Sequence, residues 1–107
     1  MAQNYVKRIG LVKRREDLTQ AQFEKHWLER HATLCLRLPG LKKYAVNLVS
    51  KDSAVPLGYD GFSELWFESE EALLGALSSQ EGKELLADLP NFTSEIRPLV
   101  VIEHSMR

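Results

Sequence analysis

One cysteine, Cys35, stands in 107 residues. That excludes an internal disulfide, and with no second cysteine there is neither a redox pair nor a cysteine-based zinc site. A reducing, cytoplasmic compartment is the expectation. Histidine is also scarce, at positions 26, 31 and 104, without the tight spacing of a metal cluster, so no metal is expected. No stretch approaches the ~20 apolar residues of a membrane span. Met1 to Gly10 alternates polar and apolar residues around Lys7 and Arg8, without the apolar block of a signal peptide. No membrane association is expected. A phosphate-binding glycine loop is missing too, because Gly58 and Gly61 lead into a strand rather than a helix; no nucleotide cofactor is expected.

What is present reads as one globular domain over residues 1–107, with 44% hydrophobic and 27% charged residues. A domain this small buries only about two thirds of its unfolded surface, so pairing with a second copy would add stability. The charge is divided: residues 1–53 carry a net +6 and residues 54–107 a net −7. The densest basic run, Lys13-Arg14-Arg15, adjoins Glu16 and Asp17 and reads as a solvated turn. Without a basic stripe or interleaved aromatics, nucleic acid is not an expected partner.

Tyr5 to Lys13 alternates with apolar residues on both parities, which predicts a strand in a sheet covered on two sides. Thr19 and Gln22 form a capping box, and Phe23, Trp27, His31, Leu34, Cys35 and Leu38 recur at helical spacing before Pro39-Gly40. Leu41 to Ser50 and Phe62 to Phe67 predict two further strands, separated by a Lys51–Gly61 loop long enough to act as a lid. Ser69 caps a helix over Glu70–Leu77, Gln80–Leu89 predicts another, and Leu99–Glu103 a last strand. The order βαββαβ is that of the ferredoxin-like α+β fold, a four-stranded antiparallel sheet with both helices on one face. The uncovered apolar face then needs a partner, and the same face of a second copy supplies it, which predicts a homodimer.

Several segments together resemble the EthD family. They are Lys13-Arg14-Arg15, Leu18-Thr19, Phe23-x3-Trp27-x3-His31-Ala32 and Leu38-Pro39-Gly40-Leu41-x2-Tyr44-x2-Asn47 in the first half. In the second they are Tyr59-Asp60-Gly61-Phe62-x-Glu64-Leu65-Trp66-Phe67, Ser69-x-Glu71-Ala72-Leu73, Glu81-Gly82 and Asp88 with Phe92. The resemblance implies a dimeric α+β barrel, an architecture that serves cofactor-free isomerases, cyclases, dehydratases, monooxygenases and haem-degrading enzymes alike. Leu48 departs from the pattern, standing where such proteins often carry a histidine; a mechanism needing two strand-borne histidines loses support.

His31 is the first candidate for chemistry. It shares the helix stripe of Phe23, Trp27 and Cys35, so burial would keep it neutral and able to take a proton from carbon beside a carbonyl. The competing reading is a core histidine bonded to a backbone carbonyl. Glu64, between Phe62 and Trp66 on one parity, could orient His31 or act as an acid, or instead pair across strands with Lys7 or Arg8. Tyr44 offers a phenolic donor to an enolate; Asn47 lies on the opposite parity of the same strand. Tyr5, Trp66 and Phe92 can wall a planar hydrophobic ligand or serve as core. His26 falls with Arg30 and Thr33 on the helix's solvent side, and His104 near a terminus; neither receives a role. The expectation is a cofactor-independent acid-base enzyme of isomerase, dehydratase or cyclase type, acting on a small hydrophobic carbonyl or aromatic metabolite. The alternative is a non-catalytic accessory protein that binds such a molecule.

Overall fold

The computed structural model describes residues 4–52 and 57–107. The first three residues of the N-terminal stretch and residues 53–56 of the Lys51–Gly61 loop lie outside them. The elements run β1 (Val6–Arg14), α1 (Gln20–Lys25), a π-helical turn (His26–His31), α2 (Ala32–Cys35), β2 (Lys43–Leu48), β3 (Gly61–Phe67), α3 (Glu70–Ser78), α4 (Gln80–Asp88), a 3-10 turn (Leu89–Asn91) and β4 (Thr93–Ile102). The strands form one antiparallel sheet in the order β2-β3-β1-β4, the ferredoxin-like arrangement expected from the sequence.

Local chemistry sets the element boundaries. Thr19 accepts from the Gln22 amide at 3.1 Å while the Gln22 side chain accepts from the Thr19 amide at 2.8 Å, so two orphan donors of α1 are satisfied together. Ser69 and Ser79 cap α3 and α4, accepting from the Ala72 and Gly82 amides at 3.0 and 3.1 Å. Gly40, at φ 76°, lies in the left-handed region just beyond the first helical segment, which favours glycine.

Two elements differ from expectation. β4 begins at Thr93 rather than Leu99, because Ile96, Arg97 and Pro98 pair with Val12, Leu11 and Gly10. Pro98 is tolerated since β4 is an edge strand, where a missing N–H need not break the ladder. The first helix is not uniformly α: its middle turn, His26–His31, is π, with the Ala32 amide donating to the carbonyl of Trp27.

The helices cover one face of the sheet. Phe23, Trp27, Phe92 and Val12 form one buried cluster, and Cys35, Leu38, Leu65, Phe67, Leu73, Ala76 and Leu85 another. Full burial of each large apolar side chain stabilises by about 1.5–3 kcal/mol, so these two clusters hold the helical layer on the sheet. Gly61 is required where Trp27 presses on the sheet: a Cβ there would stand 2.3 Å from the Asn47 carbonyl oxygen and 2.9 Å from the Trp27 ring.

Candidate functional site

The π turn brings together what an α-helix would separate. His26 and His31 both reach Asp88 at the end of α4: His31 Nδ1 lies 2.8 Å from Oδ2, and His26 Nε2 lies 3.0 Å from each carboxylate oxygen. Asn91 Nδ2 donates to Asp88 Oδ1 at 3.0 Å. Burial pushes the Asp88 carboxyl up, but the hydrogen bonds from Asn91, His31 and His26 outweigh it and hold its pKa below 3.8. An ionised Asp88 accepts only, so His31 must donate from Nδ1, leaving Nε2 with a free lone pair. Burial pulls the His31 pKa below 6.5, and the Asp88 carboxylate opposes that without reversing it, so the imidazole is neutral at pH 7. Phe92 fixes both rings, with centroids 4.9 Å from His26 and 4.8 Å from His31. The placement of His26 on the solvent side is thereby corrected: residues five apart share a face in a π turn.

Between the helices and the sheet lies a cavity of about 20 Å³, room for one water, lined by His31 with Arg8, Tyr44, Ser63 and Cys35 among apolar residues. Among the described residues His31 Nε2 has no hydrogen-bond partner, and the buried Tyr44 hydroxyl has no oxygen or nitrogen partner, only the Cys35 thiol beside it. Burial raises the Tyr44 pKa, helped by the adjacent Cys35, so the hydroxyl remains a proton donor. Burial also pushes the Cys35 thiol up to about 12, which makes it inert packing. Gly10 leaves room for this polar end of the cavity, since a Cβ there would stand 3.1 Å from Ser63 Oγ and 3.5 Å from the Arg8 guanidinium.

Glu64 is not brought to His31. It stands on the opposite, helix-free face of the sheet, where Lys7 Nζ pairs with it at 2.9 Å and Asn47 Nδ2 donates to it at 2.9 Å. The cross-strand pairing weighed for this residue is the geometry observed, with Lys7 the partner. Burial pushes the Glu64 carboxyl up, but Lys7 and Asn47 prevail and hold it below its usual value. Trp66 lies on the same face, its ring under Lys7 and Lys43 and its Nε1 donating to Glu103. Tyr5 precedes β1 and is not among the residues that line the cavity with His31. Phe92 alone of the expected ligand walls reaches the histidine side, and there it is fully buried core. Tyr44 and Asn47 occupy opposite faces, as their parity required.

Sequence reasoning gave no role to Arg8, His26 or Asp88. Arg8 carried a signal: a cation on the strand parity of Val6, Gly10 and Val12, which otherwise faces the core. Asp88 carried another, three residues from Leu85 and four from Phe92 on a buried helical stripe.

Fold and site together define a ferredoxin-like α+β domain with a histidine–carboxylate pair opening on an internal cavity. The chain belongs to the EthD domain family, whose family model matches residues 15–96. An uncharacterised 11.0 kDa protein from the thcB-thcC intergenic region of Rhodococcus erythropolis is 33% identical over 75 residues, 69% of this chain and 72% of that protein. An EthD family protein of Bacillus halodurans superposes with a TM-score of 0.83 at 25% identity, covering 94% of this chain and 99% of its own. A dimeric ferredoxin-like protein of unknown function from Thermobifida fusca has a TM-score of 0.75 at 15% identity, with 94% and 92% of the two chains covered. A hydroxynitrile lyase from Passiflora edulis shares the fold at a TM-score of 0.74 and 18% identity, with 99% of each chain covered. No helix among the described residues is long and apolar enough to cross a membrane.

Proposed function

We propose that this EthD-family chain is a cofactor-independent acid-base enzyme that moves a proton to and from carbon beside the carbonyl of a small hydrophobic metabolite. The observation that carries the reading is the His31–Asp88 pair, with Nδ1 held at 2.8 Å, Nε2 without a partner, and the ring lining a cavity that Tyr44 also lines. The Nε2 lone pair takes the α-proton, and the C–H electron pair becomes the C=C bond of an enolate. The carbonyl oxygen takes the negative charge and accepts a hydrogen bond from Tyr44. Asp88 stabilises the imidazolium so formed, in the manner of the carboxylate of a catalytic triad. The imidazolium then returns its proton to a different carbon, which isomerises the substrate, or to a departing β-hydroxyl, which dehydrates it. The same fold in Passiflora edulis carries a lyase, so the architecture is compatible with such chemistry.

Residues 1–107 act in this reading as one domain, assembled as a homodimer through the helix-free face. Ile9, Leu11 and Phe62 are only half-buried there and Leu99 is exposed, and the Thermobifida fusca neighbour is described as dimeric. A second reading, a non-catalytic carrier of the same metabolite, draws on the cavity's size, which as it stands admits one water. Deuterium uptake from solvent at the α-carbon of a panel of small ketones, lactones and keto acids separates the two. Exchange that disappears in a folded His31→Gln variant supports the enzyme; no exchange with any compound, or exchange unaltered by the substitution, contradicts it.

A further inference from the structure

Arg8 projects from the inner strand β1 into the helix-covered layer and is 9% exposed. Among the described residues no carboxylate lies within ion-pair distance of its guanidinium, although Lys7 on the opposite parity has Glu64 at 2.9 Å. A guanidinium stays protonated at neutral pH even when buried. Buried charges are ordinarily paired, because isolated burial is costly, so an unpaired one beside a cavity marks a place for an anion that the chain does not itself supply. A second, independent observation lies in the same cavity: the Tyr44 hydroxyl is buried with no oxygen or nitrogen partner, and only the weakly bonding Cys35 thiol stands beside it. Ser63 adds a further hydroxyl, and Gly10 keeps the space beside both Ser63 and the guanidinium clear.

We infer that Arg8, with Tyr44 and Ser63, forms a carboxylate-binding subsite, and that the metabolite handled at His31 is an apolar monocarboxylate. The inference rests on the acid-base reading of His31 and names its substrate class. A guanidinium binds a carboxylate through two parallel N–H···O bonds, a geometry a neutral carbonyl does not match. A transient enolate alone is a poor explanation for a permanent cation, because the charge would stay uncompensated before the proton moved. The remaining walls, including Val12, Trp27, Leu85, Leu89 and Ile96, offer no second cation, which sets the rest of the substrate as apolar. The closed cavity of about 20 Å³ admits one water, so a bound carboxylate must displace wall side chains. Leu86 is exposed and Leu89 and Ile96 are half-buried, which puts that opening, and the tail, between α4 and the edge strand β4.

Calorimetric titration of the full chain with butyrate, benzoate and 2-oxobutyrate, each against its neutral amide, tests the subsite, with the Arg8 Nε–H resonance followed by ¹⁵N NMR. The acids are expected to bind at least about tenfold tighter than the amides and to shift that resonance, and folded Arg8→Met is expected to lose the preference. Equal affinity of acid and amide, no binding of any acid, or a preference retained in Arg8→Met overturns the subsite. Should Arg8→Met not fold, the acid–amide comparison and the resonance of the unaltered chain decide alone. His31→Gln separates this inference from the catalytic one. Carboxylates that bind it as tightly as the parent, with no α-exchange in either protein, leave the subsite standing and remove the enzyme. Neutral ketones that exchange while carboxylates fail to bind do the reverse.

Discussion

His26 and His31 end on one carboxylate, that of Asp88, at 3.0 and 2.8 Å, although an ideal α-helix sets residues five apart about 140° round its axis. The π turn narrows that offset, and such turns recur at functional sites. One consequence is a base with a fixed tautomer; another is a buried aspartate whose loss should be felt in rate and stability together.

Asp88→Asn is expected to lower kcat/KM for the α-exchange reaction about a hundredfold or more, because an amide neither fixes the Nδ1–H tautomer nor stabilises the imidazolium. The folded protein should also lose about 1–3 kcal/mol in a denaturant titration, since the amide keeps one acceptor oxygen for the donors of two histidines and Asn91 and turns an NH2 group toward them. Unchanged kinetics in a variant of that lowered stability would show Asp88 to be structural.

The pH dependence has a definite sign. His31 has a folded-state pKa below 6.5 and Asp88 one below 3.8, so in both windows the unfolded chain binds more protons than the folded one. The His31 contribution is complete above pH 6.5 and declines as pH falls from there through its folded value; the Asp88 contribution declines in the same direction below 3.8. Chemical denaturation at a series of pH values should therefore show stability falling monotonically from pH 7 to pH 3, with His31→Gln flattening the upper part of the decline. The rate profile should carry an acid limb below 6.5, and Arg8→Met should move that limb upward, because the Arg8 charge helps depress His31.

Glu64→Gln should leave α-exchange at His31 within about twofold of the parent and cost at most ~1 kcal/mol, the worth of a partly exposed ion pair. The Lys7–Glu64–Asn47 group lies across the sheet from the cavity. A hundredfold loss of rate would mean that the helix-free face takes part in the reaction.

The Cys35 thiol should resist thiol reagents in the native state at pH 8 and react stoichiometrically once the chain is unfolded, since burial pushes it up to about 12. Rapid labelling of the native protein would show that the Cys35–Tyr44 side of the cavity opens.

Much of the architecture was legible because it depends on local rules. Thr19-x2-Gln22 and Ser69 are caps whose chemistry lies within four residues, and the two-faced apolar pattern of β1 required a covered sheet. The start of β4 was not legible, because Thr93 to Arg97 is polar and becomes a strand only through its long-range ladder with β1. The site was half legible. The His31 stripe predicts burial, but Phe23, Trp27, His31 and Cys35 recur every four residues, drifting about 40° per step on an α-helix. That drift was the one local trace of the π turn that places His26 on Asp88. Arg8 and Asp88 were hidden for another reason: a charged residue normally reads as a surface residue, and only the packed layer shows both to be inside.

The proposed chemistry needs His31 to carry a free Nε2 base with its proton held on Nδ1 by Asp88, and ¹⁵N NMR of the histidine rings across a pH titration reads that proton's position. At pH 7 the His31 ring should be neutral and protonated at Nδ1, titrating below 6.5, with its Nε2 resonance shifting when a substrate-class ligand binds. A His31 ring that is protonated at Nε2, or that remains an imidazolium at pH 7, would contradict it.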